Sequence, residues 1–461
     1  MIKKSALLDV RKASNEIPFS TSRFIIFALF NILLAYLSKQ SSFFSTFYGL
    51  SILMLGIFFL VADRTPIRVI YICGYVVGAE LIWRSTGASI FYEFAKYAIV
   101  FLLSLSLLRF DLLKQAIKWP ILYFLLLMPS VFLMPFFDRE SIASWLSGPL
   151  LLAVSTVFFS SVSLTHIQTK KLLIMIIAPT IGVASLAIVS ILSASNLEFT
   201  TQTNFTTAGG SLPVQVSLQL AFGAVLASYY LITEKRTRLM VPLMLLIAIW
   251  LISQSIFTFS RSGLYTAGVT LLAFFLVHLK QNRQRIRLIL FGAVLVLIMG
   301  YIIFPYMDDF TDGVLLARYM EIDSTGRDAL ANIDIQVFIN HPWFGVGLGQ
   351  SVIYHIGAGH LGTAHTEYTR MLAEHGIFGL FSLLIMLGLA GKQIFIKTSP
   401  DTRSFNILMI VWALVYMTSI ALRTAAPGFA FGLGSLVISS DNVVDNEAKK
   451  IPVLHLLSNV F

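Results

Sequence analysis

Charge is what this sequence has least of. Of its 461 residues 12% are Asp, Glu, Lys or Arg, 57% are hydrophobic, and the mean hydropathy is +0.82. A soluble domain carries about a quarter charged residues, so this density excludes an ordinary globular protein and points to a polytopic membrane protein. Cysteine is nearly absent as well. Cys73 stands alone inside an apolar run, which rules out an internal disulfide and a cysteine-based zinc site and says nothing about compartment. A dense basic face is also missing. The net charge of +10 comes from Lys and Arg set singly or in short runs between apolar spans, where they fix topology. That distribution excludes a nucleic-acid partner. No cleavable signal peptide is evident: residues 1–23 are polar and basic, and the apolar stretch 24–37 reads as a first span that stays.

Apolar runs, by contrast, are abundant. A span needs about 20 apolar residues. Suitable stretches lie near 23–38, 43–62, 67–83, 90–108, 119–137, 147–165, 172–194, 211–232, 240–259, 263–279, 287–304, 377–396 and 405–422. A shorter one at 424–439, with Pro427 and three glycines, reads as a partial or re-entrant segment. The predicted fold is an all-α polytopic membrane protein of about 12–14 transmembrane helices with one large extracytoplasmic loop containing short helices. It divides into a cytoplasmic segment 1–23, a transmembrane bundle 24–304, a loop 305–376, C-terminal spans 377–439 and a cytoplasmic tail 440–461. With the N-terminus in the cytoplasm, Lys and Arg favour the inside by roughly three to one, which places the 305–376 loop outside. The basic residues left on the outer side are Lys39, Arg84, Arg139, Arg261, Arg318, Arg327, Arg370 and Arg423.

The loop is the one long polar insertion. It holds His341, His355, His360, His365 and His375, a Gly345-Val346-Gly347-Leu348-Gly349 stretch, and Arg318, Arg327 and Arg370. Thr325 and Asp328, three apart, fit a capping box before the apolar run Leu330, Ile333, Val337, Phe338. Arg327 then falls in a first helical turn, where a guanidinium beside free N–H groups can receive an anion. Pro342 stops that helix. The glycine stretch follows a helix rather than a strand and lacks Gly-Lys-Ser/Thr, so it reads as a turn folding the loop back on the bundle. Residues 364–376 read as an amphipathic helix entering the next span, with Thr363 as N-cap. His365 at its start is held neutral by the positive helix end, which suits a general base, although a histidine met at random is more often structural. His341 and His375, beside Pro342 and Gly376, read as structural, and His355 and His360 as loop filler. Arg261, in Ser260-Arg261-Ser262-Gly263 between two spans, is either an interfacial arginine that snorkels or an anion contact at the bundle mouth. Asp308, Asp309, Asp312 and Asp323 match no metal-ligand spacing and read as solvated, so no metal site is assigned. Within the spans, Glu93 and Lys96 at i, i+3 read as a structural pair, with Glu80 nearby. No internal repeat is evident, which weakens a transporter.

Three stretches in order resemble the O-antigen ligases and Wzy-type O-antigen polymerases. They are Ser260-Arg261-Ser262-Gly263; Thr325-Gly326-Arg327 followed by His341-Pro342-Trp343-Phe344-Gly345-Val346-Gly347; and His365 with Glu374-His375-Gly376-Ile377-Phe378-Gly379. The resemblance covers about residues 195–395. It departs from the family pattern at Thr366, where Asn often stands, and at 206–215, which carries neither an Arg nor an Asn-rich turn, so no third donor arginine is assigned. The resemblance implies a metal-independent, cofactor-free glycosyltransferase of the GT-C type in the bacterial inner membrane, acting at its outer leaflet. The implied donor is an undecaprenyl-diphosphate-linked glycan. The implied acceptor is lipid A–core in a ligase or another lipid-linked repeat unit in a polymerase. Carried over by position, Arg261 and Arg327 bind the donor diphosphate and His365 activates the acceptor hydroxyl. A polysaccharide exporter or flippase is the alternative; it would require polar residues lining the mid-membrane spans, which are mostly apolar here.

Overall fold

Caps and prolines set where the helices begin and break. The computed structural model describes residues 18–135, 138–194, 198–234, 239–278, 282–321, 326–360, 366–396 and 398–439. α1 (Thr21–Gln40) and α2 (Ser42–Ala62) meet at Ser41, whose side chain caps α2 by accepting the Phe44 N–H. α3 (Ile67–Ser85) and α4 (Phe94–Arg109) follow. The predicted span at 119–137 is not one helix: α5 (Trp119–Leu125) gives way to a 3₁₀ segment, Met128–Leu133, around Pro129, which has no N–H to continue a helix. α6 (Arg139–Phe159) starts earlier than the predicted 147 because the Asp138 carboxylate accepts the N–H groups of Glu140 and Ser141 at 3.2 and 3.0 Å. A capping box between Thr165 and Gln168 opens α7 (His166–Leu192). α8 (Pro213–Thr233), α9 (Met240–Phe257) and α10 (Arg261–His278) come next.

α11 (Asn282–Ile298) passes through a π-turn, Met299–Ile303, into α12 (Phe304–Phe310). Pro305 lies in the first turn of α12, and the wider π-turn absorbs its missing donor. The apolar span therefore runs on to Phe310. α13 (Val314–Met320), α14 (Arg327–Asn340) and α15 (Ser351–Gly357) lead to α16 (Glu367–Phe395), α17 (Pro400–Ser419) and α18 (Ala425–Leu433). The helix expected before 377 and the span after it are one element, kinked at Gly376 (φ 57°, ψ −134°). Two further corrections concern helix ends. Ser163–Thr165 and Val437–Ser439, both predicted as span, pair as short parallel strands, and α18 is only nine residues long.

Among the described residues eight helices are long and apolar enough to cross a membrane, and α3, α4, α10 and α17 interleave with them. This is an all-α, multi-pass membrane protein. α8 is buried along nearly its whole length, between α7, α9 and α10. Phe222 of α8 stacks on Trp412 of α17, centroids 4.0 Å apart. Small residues let helices touch: Gly78 of α3 faces the Ile176 carbonyl and Pro179 of α7, and Gly432 of α18 faces Ser155 of α6, with no room for a Cβ at either glycine.

Two groups of buried charges pair internally. Arg84 meets Glu80 at 2.6 Å and Glu93 at 3.4 Å, and Lys96 meets Glu93 at 2.5 Å, which is the expected Glu93–Lys96 contact with Glu80 joined to it. Arg370 meets Glu367 at 2.6 Å and Glu374 at 2.9 Å. The two groups connect through the backbone of one residue: Lys96 donates to the Leu422 carbonyl at 3.2 Å, and the Leu422 N–H donates to Glu367 at 3.2 Å. At the kink, Ile377 N–H donates to the Pro342 carbonyl at 2.8 Å, and a Cβ on Gly376 would meet the 342–345 backbone. Gly376→Ala is therefore expected to cost on the order of 3 kcal/mol through forced left-handed strain and overlap. A lowered melting temperature of the detergent-purified protein is the readout, and an unchanged one contradicts this account.

Candidate functional site

Arg261 owes its place to a tight turn. Between α9 and α10 the chain reverses through Phe259, which is buried at φ 58°, a region a bulky residue enters only when its surroundings hold it there. Its ring stacks on Phe199, centroids 5.7 Å apart, and its carbonyl accepts Arg318 Nε at 3.2 Å. Below the turn, Ser217 of α8 gathers the backbone. Its hydroxyl lies 2.9 Å from Ser255 Oγ, donates to the Ser260 carbonyl at 3.0 Å and accepts the Gly263 N–H at 3.2 Å. Gly263 sits against Ser217 and Ser255 so closely that a Cβ has no space. In Ser260-Arg261-Ser262-Gly263, then, the glycine is needed for close approach, and Arg261 becomes the first residue of α10.

Above this turn lies a cavity of about 440 Å³. Arg261, Arg318 and Arg327 line it together with Ser262, Tyr265, Tyr319, Glu321 and Thr366. The three arginines differ in their partners. Arg318 is buried and holds Glu321 at 2.9 Å, so its charge is matched. Arg261 donates to the Glu321 carbonyl. Arg327 reaches Ser262 Oγ at 3.2 Å, and its Nε is buried without an acceptor. Among the described residues no carboxylate forms an ion pair with Arg327. Burial, then Arg261, then Arg318 hold its guanidinium below the ordinary value. That value is so high that the group stays charged. The result is a concentrated positive site with free donors, suited to an anion. Among the described residues no group of three or more His, Cys, Asp or Glu side chains is placed to hold a metal ion.

Arg327 is the first residue of α14, as expected, but the cap differs. Gly326, at φ 76°, stands at the N-cap, and among the described residues no side chain caps α14; Thr325 of the expected Thr325–Asp328 box lies outside the described residues. For α16 the cap is Thr366, not Thr363: its hydroxyl accepts the Thr369 N–H at 3.1 Å. His365 lies outside the described residues, as do Thr363 and Asp323. The residue next to His365, Thr366, is on the cavity wall.

One buried carboxylate ties the two helix starts together. Asp334 of α14 meets His355 Nε2 of α15 at 2.8 Å through one oxygen and accepts Thr369 Oγ1 of α16 at 2.8 Å through the other. Thr369 Oγ1 lies 2.9 Å from Thr366 Oγ1. His355, read as loop filler, is therefore a buried structural residue. Nothing in the sequence marks the pair, since 21 residues and a helix break separate the two. Arg318 was also passed over as a site residue. Its one legible signal was Glu321, three residues on, at ion-pair spacing.

The glycine stretch is the turn it was read as. Gly345, Gly347 and Gly349 all have positive φ, and the N–H groups of Val346 and Gly347 donate to the carbonyls of Ala373 and Glu374 at 3.0 and 3.1 Å. His375 is buried beside the kink and His341 Nε2 lies 3.3 Å from Tyr354 Oη, structural places for both. His360 has no side-chain partner among the described contacts, and Arg370 is fully paired within α16.

Residues 246–384 match the family model described as O-antigen ligase. That segment is similar to the O-antigen ligases. It runs from α9 to the first half of α16, so apart from Thr203, Thr418 and Ser419 the whole cavity lining lies within it. No curated protein matches the chain. The resemblance seen in the sequence is upheld over this segment, and enzymes of the ligase and polymerase kind transfer glycans in membranes.

Within the matched segment, Asp334→Ala strands two buried partners. It is expected to destabilise the protein by about 2 kcal/mol, seen as a lower melting temperature, and Asp334→Asn, able to keep one of the two bonds, by less. Gly263→Ala drives a methyl into Ser217 and Ser255 and is expected to reduce the folded yield on size-exclusion chromatography.

Proposed function

We propose that this protein transfers a glycan from an undecaprenyl-diphosphate carrier to an acceptor hydroxyl at the extracytoplasmic face of the bacterial inner membrane. The acceptor is lipid A–core if the protein is a ligase and another lipid-linked repeat unit if it is a polymerase. The observation that carries this reading is the convergence of Arg261 and Arg327 on one cavity, with Arg327 lacking a carboxylate partner among the described residues. A diphosphate leaving group gains negative charge as the glycosidic bond breaks, and two preorganised guanidiniums can stabilise that charge without a metal. Arg327 adds the free N–H groups of the α14 start beneath it.

His365 is assigned as general base. Its neighbour Thr366 lines the same cavity, which supports a base at the cavity edge. In the proposed step the acceptor oxygen attacks the anomeric carbon from the side opposite the diphosphate. His365 takes the hydroxyl proton, the C–O bond to the diphosphate breaks, and the anomeric configuration inverts. The positive-inside bias places the N-terminus in the cytoplasm and this cavity outside. A cytoplasmic nucleotide-sugar donor does not fit that side, whereas a lipid-linked donor does.

The test is glycan transfer from a lipid-linked donor by purified protein in detergent or vesicles. Removing one charge-stabilising donor is expected to lower kcat by about 10²–10³, so Arg261→Ala and Arg327→Ala should each fall in that range. His365→Ala is expected to lose about 10²–10⁴. Full activity in all three overturns the assignments. In cells, loss of the gene leaves core with a single repeat unit if the protein is a polymerase, and bare core with long carrier-linked chains if it is a ligase.

A further inference from the structure

One face of α10 is largely uncovered among the described residues. Tyr265, Val269, Leu272 and Leu276 are 57%, 47%, 57% and 57% exposed, and their three- and four-residue spacing sets them in one stripe. Gly268 lies on the same side, and a Cβ built there meets nothing, so the stripe has a notch in its middle. The opposite face, with Ser262, Thr266, Thr270 and Phe274, is buried where α10 packs on α8 and α17. The span Gly292–Phe310, itself almost wholly exposed, lies near this part of the bundle, with contacts from its helices to α8, α9 and α10.

Exposed apolar residues are ordinary on a membrane helix. The position of this stripe is not, because it begins inside the arginine cavity. Tyr265 lines that cavity one turn after Arg261, and the remaining residues descend α10 over roughly 16 Å at 1.5 Å per residue. A lipid diphosphate has its anionic head bonded directly to a long hydrocarbon chain. Its site needs cations with continuous apolar surface immediately below, and α10 supplies both from one rigid element. Tyr265, apolar in the ring and polar at the tip, stands where head and chain meet.

We propose that the isoprenoid chain of the donor lies along this stripe, seated in the Gly268 notch and held by Val269, Leu272 and Leu276. The inference rests on the donor reading above and adds to it a tail subsite and a dependence on chain length. The diphosphate anchors the head, and burial of the chain against the helix supplies affinity in proportion to the length covered.

The experiment compares one glycan on two carriers, undecaprenyl diphosphate and the one-isoprene dimethylallyl diphosphate, whose chain is too short to run down the stripe. For the native protein the long carrier is expected to have the lower KM. Gly268→Trp puts a bulky ring into the notch, starting from a Cβ that meets nothing within 4 Å. It is expected to raise KM for the long carrier about tenfold while leaving kcat/KM for the short one within about twofold. Equal KM values for the two carriers in the native protein, or equal effects of Gly268→Trp on both, overturn the proposal. Should that variant not fold, a photoreactive isoprenoid diphosphate on the native protein decides the matter. Crosslinks in the 265–276 peptide that undecaprenyl diphosphate competes away support the subsite, and crosslinks confined elsewhere overturn it. Failure of the donor reading is a separate result, seen as full transfer activity in both Arg261→Ala and Arg327→Ala.

Discussion

An apolar bundle cannot hold an unpaired charge cheaply, and that constraint arranges this protein. Glu80, Arg84, Glu93 and Lys96 neutralise one another between α3 and α4, and Glu367, Arg370 and Glu374 do so at the start of α16. The Leu422 backbone joins the groups by donating to one and accepting from the other. The Ala425 N–H donates to Glu80 at 2.7 Å, so α18 hangs from the same network. Four helices that share little sequence length are thereby fixed in register by ion pairs at one end of the bundle. Arg327 breaks the pattern: it is largely buried, it stands beside Arg261 and Arg318, and no carboxylate among the described residues neutralises it. Arg423 is a second exception: it stacks over Trp145 at 4.1 Å, burial and then Arg370 hold its guanidinium below the ordinary value with Glu367, Glu374 and Glu93 opposing only in part, and its Nη2 is buried without an acceptor among the described residues. Arg327 differs from Arg423 in lining the cavity, and the anion proposed above would supply the charge it lacks.

The frame around that arginine is rigid. Arg327 opens α14, and α16, which packs against α14, begins two residues after His365 in the sequence. Asp334 holds those helices together from inside, and the glycine turn clasps α16 at its kink from outside. Phe259 is held on the other side of the cavity in a conformation it would not choose alone. Strain of that kind persists only where packing over-determines it, and here the Phe199 stack and the Arg318 contact do so. The bundle supplies Arg261 and the inserted segment supplies Arg327; neither alone makes the cavity.

Much of the scaffold was legible because apolar length is a direct signal. Helix ends were less legible. At 119–137 apolarity persists through Pro129, and only the missing donor ends the helix. Thr325 and Thr363 both look like caps in isolation, yet Gly326 and Thr366 take those positions, since tertiary packing decides which residue leaves helical geometry. The glycine turn was readable because three alternating glycines need positive φ. The Asp334–His355 bond was not, because it joins residues on two helices and leaves no periodic trace. Arg261 and Arg327 could be singled out as basic residues retained on the disfavoured side. Arg318 belongs to that group as well, and only its contact with Glu321 separates it from them.

That separation fixes the charge the cavity can take. A glycan joined to a lipid through a diphosphate carries two negative charges. Three free guanidiniums would over-match it and hold the spent carrier after the glycan has left. With Arg318 already neutralised by Glu321 at 2.9 Å, Arg327 is left on the cavity wall with no carboxylate ion pair among the described residues, and Arg261 lines the same cavity. Shape argues the same way. A guanidinium presents a planar fork that can meet two phosphate oxygens at once, whereas an ammonium is a single point. With Ser262 holding one arm of Arg327 and Nε left unmatched, the fork is oriented before the ligand arrives. Little of the binding energy is then spent on ordering it, and more is left for the charge that develops as the glycosidic bond breaks.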